Sequence, residues 1–266
     1  MKKTALIKKA AIGAAKEAGR ILLDGMTQKL TITYKGELDL VTQMDTLSEQ
    51  SIVTNIKTHF PDHQILAEEG NNHESDSPYR WVIDPLDGTT NYAHRFPCFC
   101  VSIAVEYEGS IAMGVIYDPI RKELFFAEKG KGATLNRQPL SVSSRPILKE
   151  SLLVTGFAYN LRDNPNNNLN HFSRLLMKAQ GIRRLGSAAL DLCYVAAGRL
   201  DGFWELNLKP WDTAAGFLIL TEAGGSVTNF AGEPFSIDQR EILATNGKIH
   251  QEMVDVLTQG EKSYVC

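Results

Sequence analysis

The N-terminal part of the chain places apolar residues three or four positions apart. Leu6, Ala10 and Ile21 follow this spacing, and charged side chains occupy positions between them. Such spacing predicts an amphipathic helix packed on the body of the protein. The charges interrupt the apolar run that a signal peptide would need. An extended stretch from Leu30 to Tyr34 and a second helix from about Thr42 to His59 are predicted next.

The pattern changes to short strands between Trp81 and Val142. Polar turns separate four apolar or alternating segments, FCVSIAVEY, SIAMGVIYDP, KELFFAEKG and GATLNRQPLSV. Short strands joined by tight turns are typical of an antiparallel meander.

The second half of the chain alternates between strand-like and helix-like segments. Strands are predicted in SLLVTGF, GIRRLG, DGFWEL, GSVTNF and EILATN, and helices over 168–180, 187–197, 211–223 and 247–257. A polar connection around Pro146 precedes this half. We therefore expect an N-terminal α+β lobe over 1–145 and a C-terminal α/β lobe over 146–266, which together form one functional unit.

The composition limits the classes of function. The 266 residues are 43% apolar and 22% charged, and the formal net charge is −3. This apolar content suffices for a sizeable core, and the chain lacks the basic excess that nucleic-acid binding needs. No apolar run approaches the roughly 20 residues of a membrane span, so neither a nucleic acid nor a membrane is expected as a partner.

The cysteines show no spacing typical of a disulfide framework or a zinc site. They are Cys98, Cys100, Cys193 and Cys266. We interpret them as reduced, buried thiols of a cytoplasmic protein. Cys98 and Cys100 belong to one apolar strand, and we expect them to face opposite sides of it.

Two aspartates flank a proline in the segment WVIDPLDGTTNY. The apolar strand is expected to stop at Asp84, and Gly88 follows the second carboxylate, Asp87. A turn of this composition can bring both carboxylates and the Leu86 carbonyl to one side. In the simplest alternative, Asp87 and Gly88 only form a turn, and Asp84 or Thr89 caps a helix.

Other acidic residues stand where a predicted strand ends or a helix begins. They are Asp39, Asp45, Glu68, Glu69 and Asp212. Such positions lie at the rim of a sheet, where functional sites are usually built. Uncompensated carboxylates at one rim repel each other, and magnesium is the cation that suits hard oxygen ligands. Two ions about 4 Å apart could share Asp84.

The backbone after Asp87 is expected to bind an anion. Gly88, Thr89 and Thr90 begin a turn or short helix whose free N–H groups suit a phosphate. The six histidines form no obvious ligand pair, and the chain has neither a GxSxG elbow nor a Walker A lysine. The residues therefore favour metal-assisted chemistry on a phosphate ester.

Several motifs together resemble the inositol monophosphatase family. WVIDPLDGTTNY and WDTAAGFLILTEAGG are similar to its two signatures, and GELDLVTQMD, AEEG and GIRRLGSAAL to further blocks in the same order. The resemblance covers nearly the whole chain. It implies an α/β (α+β) fold, the layered α/β/α/β/α sandwich shared with fructose-1,6-bisphosphatase. It also implies magnesium-dependent hydrolysis of a phosphate monoester by a homodimer that lithium inhibits.

The resemblance also implies a division of labour among the acids. Glu68, Asp84 and the Leu86 carbonyl would hold one magnesium ion. Asp84, Asp87 and Asp212 would hold a second, and Glu68 with waters a third. Most of these ligands fall in the N-terminal lobe, whereas Asp212 falls in the C-terminal lobe.

The remaining implied roles concern water and substrate. Glu68 and Thr89 would position the attacking water, with Asp45 accepting a hydrogen bond from the Thr89 hydroxyl. Substrate contacts are implied for Asp87, Gly88, Thr89, Gly186, Ser187, Ala188, Glu205 and Asp212. The amides of Gly88 and Thr89 would hold the phosphate.

The substrate remains open among phosphate esters. The residues that follow DGT resemble those of inositol-phosphate members, and a carboxylate such as Glu205 fits a polyol. Fructose 1,6-bisphosphate and other sugar or nucleotide phosphates are alternatives. A regulatory binding protein that keeps the fold is an alternative of another class, but retention of all the acids favours an enzyme. Arg183, Arg184 and Lys209 either steer an anion or lie in a subunit interface.

Overall fold

The computed structural model describes residues 2–34, 40–159, 161–165 and 167–259. Asp39 and Cys266, both considered above, lie outside these ranges. The described α-helices are α1 (Lys2–Met26), α2 (Gln43–His59), α3 (Thr89–Ala93), α4 (Leu169–Leu176), α5 (Ala188–Ala196), α6 (Pro210–Glu222) and α7 (His250–Thr258). None of them combines the length and apolar content needed to cross a lipid bilayer.

The first large sheet has seven strands in the order β3-β4-β5-β6-β7-β8-β9. These strands are β3 (Gln64–Ala67), β4 (Tyr79–Asp87), β5 (Cys100–Tyr107), β6 (Ser110–Asp118), β7 (Glu123–Glu128), β8 (Ala133–Leu135) and β9 (Gln138–Pro139). Neighbouring strands from β4 to β9 are antiparallel, whereas β3 runs parallel to β4. The predicted meander is therefore present. A separate two-stranded sheet pairs β1 (Ile32–Tyr34) with β2 (Leu40–Thr42).

The second large sheet has five strands in the order β11-β10-β12-β14-β13. They are β10 (Leu152–Thr155), β11 (Gly181–Arg183), β12 (Gly202–Leu206), β13 (Ser226–Thr228) and β14 (Glu241–Thr245). The strands β11, β10 and β12 are parallel to one another, and β14 and β13 complete the sheet by antiparallel pairing. Parallel strands joined through helices explain the alternating pattern of this half.

Both large sheets are covered on both faces. Trp81 and Ile83 of β4 pack with α1 and α2, whereas Val82 between them packs in the cluster that contains α5 and α6. Phe203 of β12 faces α5 and α6, and Trp204 faces α7. This alternation follows from the two-residue period of a strand. The layers run helix, sheet, helix, sheet, helix, which confirms the expected α/β/α/β/α fold.

The strand that carries the two aspartates does not stop at Asp84, so that prediction was wrong. β4 continues to Asp87, and its pairing with β5 shifts in between: Asp84 lies opposite Ser102, whereas Asp87 lies opposite Cys100. Three steps on β4 thus match two on β5, because Pro85 cannot donate to the ladder. The extra residue brings both aspartates to the same face of the sheet.

The expectation that Cys98 and Cys100 face opposite sides was also wrong. Both thiols belong to the central cluster between the two sheets. Residues two positions apart in extended chain point the same way, which explains the result. Cys98, Cys100 and Cys193 are buried free thiols, as predicted.

The central helical layer joins the two halves of the chain. α6 comes from the second half, yet it packs closely on β6 of the first half. A Cβ atom on Gly114 would lie 2.7 Å from the carbonyl oxygen of Ala215. This contact positions the start of α6 beside the end of β4. The division into lobes at residue 145 remains a prediction.

We predict that Gly114→Ala lowers the free energy of unfolding by about 1–3 kcal/mol, because the added methyl group overpacks a backbone contact. Gly13→Ala is the matched control, since a Cβ there meets nothing within 4 Å and the residue lies inside α1. The control should raise stability by about 0.5–1 kcal/mol. Urea unfolding of both variants measures the difference, and equal shifts would contradict the tight packing of α6 on β6.

Candidate active site

One cavity of about 1000 Å³ lies where the end of β4 meets the starts of α5 and α6. Its wall contains the following predicted site residues: Glu68, Asp84, Leu86, Asp87, Gly88, Thr89, Gly186, Ser187, Ala188, Glu205 and Asp212. Asp45 does not line the cavity but lies directly behind Thr89. The structure therefore brings together residues separated by up to 144 positions in the chain, from Glu68 to Asp212.

Four carboxylates that line the cavity, here called the acidic wall, repel one another strongly. They belong to Glu68, Asp84, Asp87 and Asp212. Asp84 is buried, whereas Glu68, Asp87 and Asp212 expose part of their surface to the cavity. Burial raises the pKa of Asp84 well above its ordinary range, and the charges of Glu68, Asp87 and Asp212 raise it further. Burial and the neighbouring acids likewise raise the pKa of Asp212. A bound cation would remove this penalty.

Backbone donors orient three of these carboxylates. The Leu86 N–H donates to Asp84 at 2.9 Å, and the Lys209 N–H donates to Asp212 at 2.7 Å. Asp87 accepts from the Ala189 N–H at 2.8 Å and from the Ser187 hydroxyl on the same oxygen. In each case these bonds engage one carboxylate oxygen, which leaves the side chain a second oxygen for a ligand.

The donor set fits magnesium by its chemistry. It consists of carboxylates and the Leu86 carbonyl, and such hard oxygen ligands are those that Mg²⁺ prefers. Within the described ranges, no three acidic, histidine or cysteine side chains form a ready-made metal-binding group. Mg²⁺ commonly keeps several waters and substrate oxygens as ligands, so a site for it does not need three such side chains already grouped.

Thr89 connects the cavity to a buried acid. Its hydroxyl lies 3.0 Å from Asp45 Oδ1 and 2.9 Å from the Leu86 carbonyl oxygen. The other Asp45 oxygen accepts from the N–H and the hydroxyl of Thr42, at 2.8 and 2.6 Å. Burial raises the pKa of Asp45, while the hydrogen bonds from Thr42 and Thr89 oppose that shift. Asp45 thus both caps α2 and fixes the Thr89 side chain.

Gly88 lies in close contact with two neighbouring segments of the chain. Its φ is +93°, and a Cβ atom would lie 2.9 Å from the Cys98 carbonyl and 3.2 Å from the Gly186 carbonyl. Only glycine adopts this conformation in this space without strain. Asn91 fixes the same two segments, since its side-chain amide donates to the carbonyls of Cys98 and Leu185 at 2.7 and 2.8 Å.

Glu205 of β12 also lines the cavity. It is buried at the end of β12, and burial raises its pKa to about 8. A Cβ atom on Gly156 would lie 2.3 Å from the Glu205 carboxylate. The absence of a side chain at Gly156 therefore makes room for this acid. The cavity wall also contains Arg184, Lys209 and other residues to which the sequence assigned no definite role.

The chain matches a known protein family over almost its whole length. Residues 4–261 match the profile of the inositol monophosphatase family. The chain belongs to the inositol monophosphatase family. It is therefore a phosphatase, and the expected enzyme class is confirmed.

Individual relatives support this assignment over most of their length. The chain is 51% identical to an inositol-1-monophosphatase of Synechocystis over 82% of this chain and 77% of that protein. It is 43% identical to the Nus factor SuhB of Pseudomonas aeruginosa, over 93% and 94% of the two chains. The solved structure of an inositol monophosphatase from Anabaena superposes with a TM-score of 0.89 at 46% identity, covering 97% of this chain and 98% of that one.

Glu49 is a residue of this family member that the sequence analysis missed. It is fully buried in α2 and accepts from the Glu69 N–H at 2.7 Å and the Asn71 N–H at 3.0 Å. Its Oε1 also accepts from the Asn71 side-chain amide at 2.8 Å. These bonds fix the segment that carries Glu68. Glu49 lies four positions after Asp45, on the same face of the helix, and that spacing was the available signal.

We predict that Glu49→Gln lowers kcat by about tenfold or more, because an amide cannot accept from all three donors and the Glu68 segment will shift. Glu222→Gln is the matched control. Glu222 holds another segment through the N–H groups of Gly130 and Gly132, at 2.6 and 2.7 Å, but does not line the cavity. Both variants should lose stability, and only Glu49→Gln should lose turnover. An equal effect on kcat would contradict the positioning role.

Proposed function

We propose that the chain is a magnesium-dependent phosphatase that hydrolyses inositol 1-phosphate. The observation that carries the proposal is the distribution of groups in one cavity. Four acids and a backbone carbonyl lie at the ends of β3 and β4 and at the start of α6, and a separate buried carboxyl group, Glu205 at the end of β12, lines the same cavity. The first set suits a phosphate with its cations, and the second suits hydroxyl groups of an alcohol.

The expected ligand assignment follows the family resemblance. Glu68, Asp84 and the Leu86 carbonyl would hold one ion, Asp84, Asp87 and Asp212 a second, and Glu68 with waters a third. Magnesium in such sites neutralises the phosphate charge and lowers the pKa of water. The hydrogen bonds that orient Asp84 and Asp212 support the assignment, because they prepare these side chains before any ligand binds.

Thr89 and Asp45 would orient the attacking water together with Glu68. A hydroxyl has one proton, and donation to Asp45 turns the lone pairs of Thr89 towards a water in the cavity. The water can then donate one hydrogen bond to the Thr89 hydroxyl oxygen and another to Glu68, so that an oxygen lone pair points at phosphorus. The N–H groups of Gly88 and Thr89 would hold the phosphate in line.

Substrate contacts on the alcohol side would come from Gly186, Ser187, Ala188, Glu205 and Asp212. The relative from Synechocystis, an inositol-1-monophosphatase, supports a polyol. Sugar and nucleotide phosphates remain the alternatives within the family. We further propose that the chain is a cytoplasmic homodimer that lithium inhibits, with Arg183 in the subunit interface. Arg183 is exposed on the edge strand β11 and does not line the cavity.

A binding role is the second candidate, and the relative named Nus factor SuhB favours it. Such a role would use the outer surface and would not need turnover. Asp87→Asn separates the two possibilities, since it keeps the shape of the side chain but removes one charge from the acidic wall. Rescue of a gene-deletion phenotype by Asp87→Asn as well as by the unchanged protein would favour binding, and failure of the inactive variant would favour catalysis.

We predict that the purified protein hydrolyses inositol 1-phosphate in magnesium and loses nearly all activity in EDTA. Magnesium added in excess should restore the rate, because the acids remain folded around the cavity. The measurement is kcat/KM on inositol 1-phosphate, fructose 1,6-bisphosphate and 3′-phosphoadenosine 5′-phosphate. Equal rates with and without divalent metal would refute the metal dependence, and a preference for either alternative ester would refute the substrate.

We predict that Thr89→Ala lowers kcat by about 100-fold or more with little change in KM, because the backbone N–H still holds phosphate while the water loses its orientation. Thr89→Ser is the matched variant and should keep much of the rate, since it retains the oxygen. Steady-state kinetics on both variants give the comparison. If serine and alanine are equally impaired, the methyl group matters and the water-orienting role is wrong.

A further inference from the structure

Asp191 is a buried acid in the cavity wall with an unsatisfied oxygen. It lies in the first turn of α5, its side chain is 1% exposed, and it lines the cavity. Its Oδ1 has no hydrogen-bond partner among the described residues. A buried polar atom left in this state costs about 1–3 kcal/mol, so an apolar residue here would make a more stable protein.

Two other buried carboxylates, those of Asp201 and Glu49, have hydrogen-bond donors around them. Asp201 accepts from the Leu152 N–H at 2.8 Å and from the Arg145 guanidinium at 3.1 Å, and the Ser143 hydroxyl donates to it as well. Glu49 accepts from three donors, as described above. Asp201 and Glu49 therefore stabilise backbone segments, whereas Asp191 Oδ1 accepts from no donor in the described part of the chain. An acid that costs stability and faces a cavity is expected to serve a ligand.

The surroundings of Asp191 belong to the alcohol side of the cavity. Burial raises its pKa, the charges of Glu205 and Asp87 raise it further, and Arg184 opposes the shift. The same arginine opposes the shift at Glu205. Asp191, Glu205 and Arg184 also line the same cavity. A carboxyl group in this setting can both accept and donate a hydrogen bond, as hydroxyl groups do.

We propose that Asp191 and Glu205 together form a subsite for two hydroxyl groups of the alcohol portion of the substrate, and that Asp191 determines specificity for a polyhydroxylated ring. The proposal rests on the proposed function and assigns to Asp191 a contact that the sequence analysis did not. Arg184 disfavours a cationic alcohol at this place, because its charge would repel an amine. Asp191 is not among the residues assigned to the metal ions or to the attacking water.

The test compares Asp191→Asn with the unchanged enzyme on three esters in magnesium. Inositol 1-phosphate carries ring hydroxyls, cyclohexyl phosphate has the same ring without them, and phosphoethanolamine carries an amine. We expect kcat/KM for inositol 1-phosphate to fall about tenfold or more, and the fall for cyclohexyl phosphate to be at least fivefold smaller. The melting temperature should stay equal or rise, because Asp191 Oδ1 has no hydrogen bond to lose among the described residues.

Asp201→Asn is the matched control, since it makes the same replacement at a buried acid whose hydrogen bonds are satisfied. It should lower the melting temperature and leave the preference between the two ring esters unchanged. Equal losses on both ring esters in Asp191→Asn, or a fall in melting temperature like that of the control, would overturn the inference. The largest loss on phosphoethanolamine would overturn it in favour of a cation subsite.

Different results test the proposed substrate and the proposed role of Asp191. If the unchanged enzyme does not prefer inositol 1-phosphate over cyclohexyl phosphate, the proposed substrate is wrong. If it has that preference and Asp191→Asn keeps it, the substrate stands and only the role of Asp191 is wrong.

Discussion

Repulsion among the carboxylates of the acidic wall is the constraint on which the rest of the site depends. The charges of Glu68, Asp87 and Asp212 each raise the pKa of Asp84, which is already raised by burial. Burial makes this arrangement costly, because the acids lose water while their charges repel one another. The fold must therefore hold the acids in place by other means.

Much of that support comes from ordinary helix-capping chemistry. Asp45 stands three residues after the N-cap of α2, and Asp212 stands three residues after the N-cap of α6. Each accepts from the N–H of its N-cap residue, Thr42 or Lys209, at 2.8 and 2.7 Å. The same bond satisfies an otherwise unpaired donor and orients an acid for function. The cost of the site is thus offset by interactions that the helices need in any case.

Close backbone approach provides the remaining support. Gly88 lies against the Cys98 carbonyl, Gly114 lies against Ala215, and Gly156 leaves space for Glu205. Each glycine lets its own segment pack closely against a neighbouring segment that lines or supports the cavity. A side chain at any of these positions would overlap the neighbouring atoms and force them to move. The site is therefore maintained by packing as much as by charge.

The sequence by itself determined the elements and most of the acidic wall. Strand and helix periods predicted the meander of β5 to β8 and the helices α5 and α6, because these patterns reflect local geometry. The segment GATLNRQPLSV was predicted as one strand, but it contains both β8 and β9. The motif around Asp84 and Asp87 predicted a common site, because a proline and a glycine in a short segment restrict the backbone. Local rules failed where pairing decided the result, since the register shift that aligns the two aspartates arises between strands.

Only the tertiary structure decided which neighbours each side chain meets. Arg183 and Arg184 are adjacent in sequence, yet only Arg184 lines the cavity. Glu49 and Asp191 are both buried acids on helices, but one accepts from backbone donors 20 and 22 positions away while the other has an unsatisfied oxygen. Such differences depend on contacts between segments distant in the chain. Composition and spacing do not contain them, because burial and hydrogen bonding are set when the layers pack.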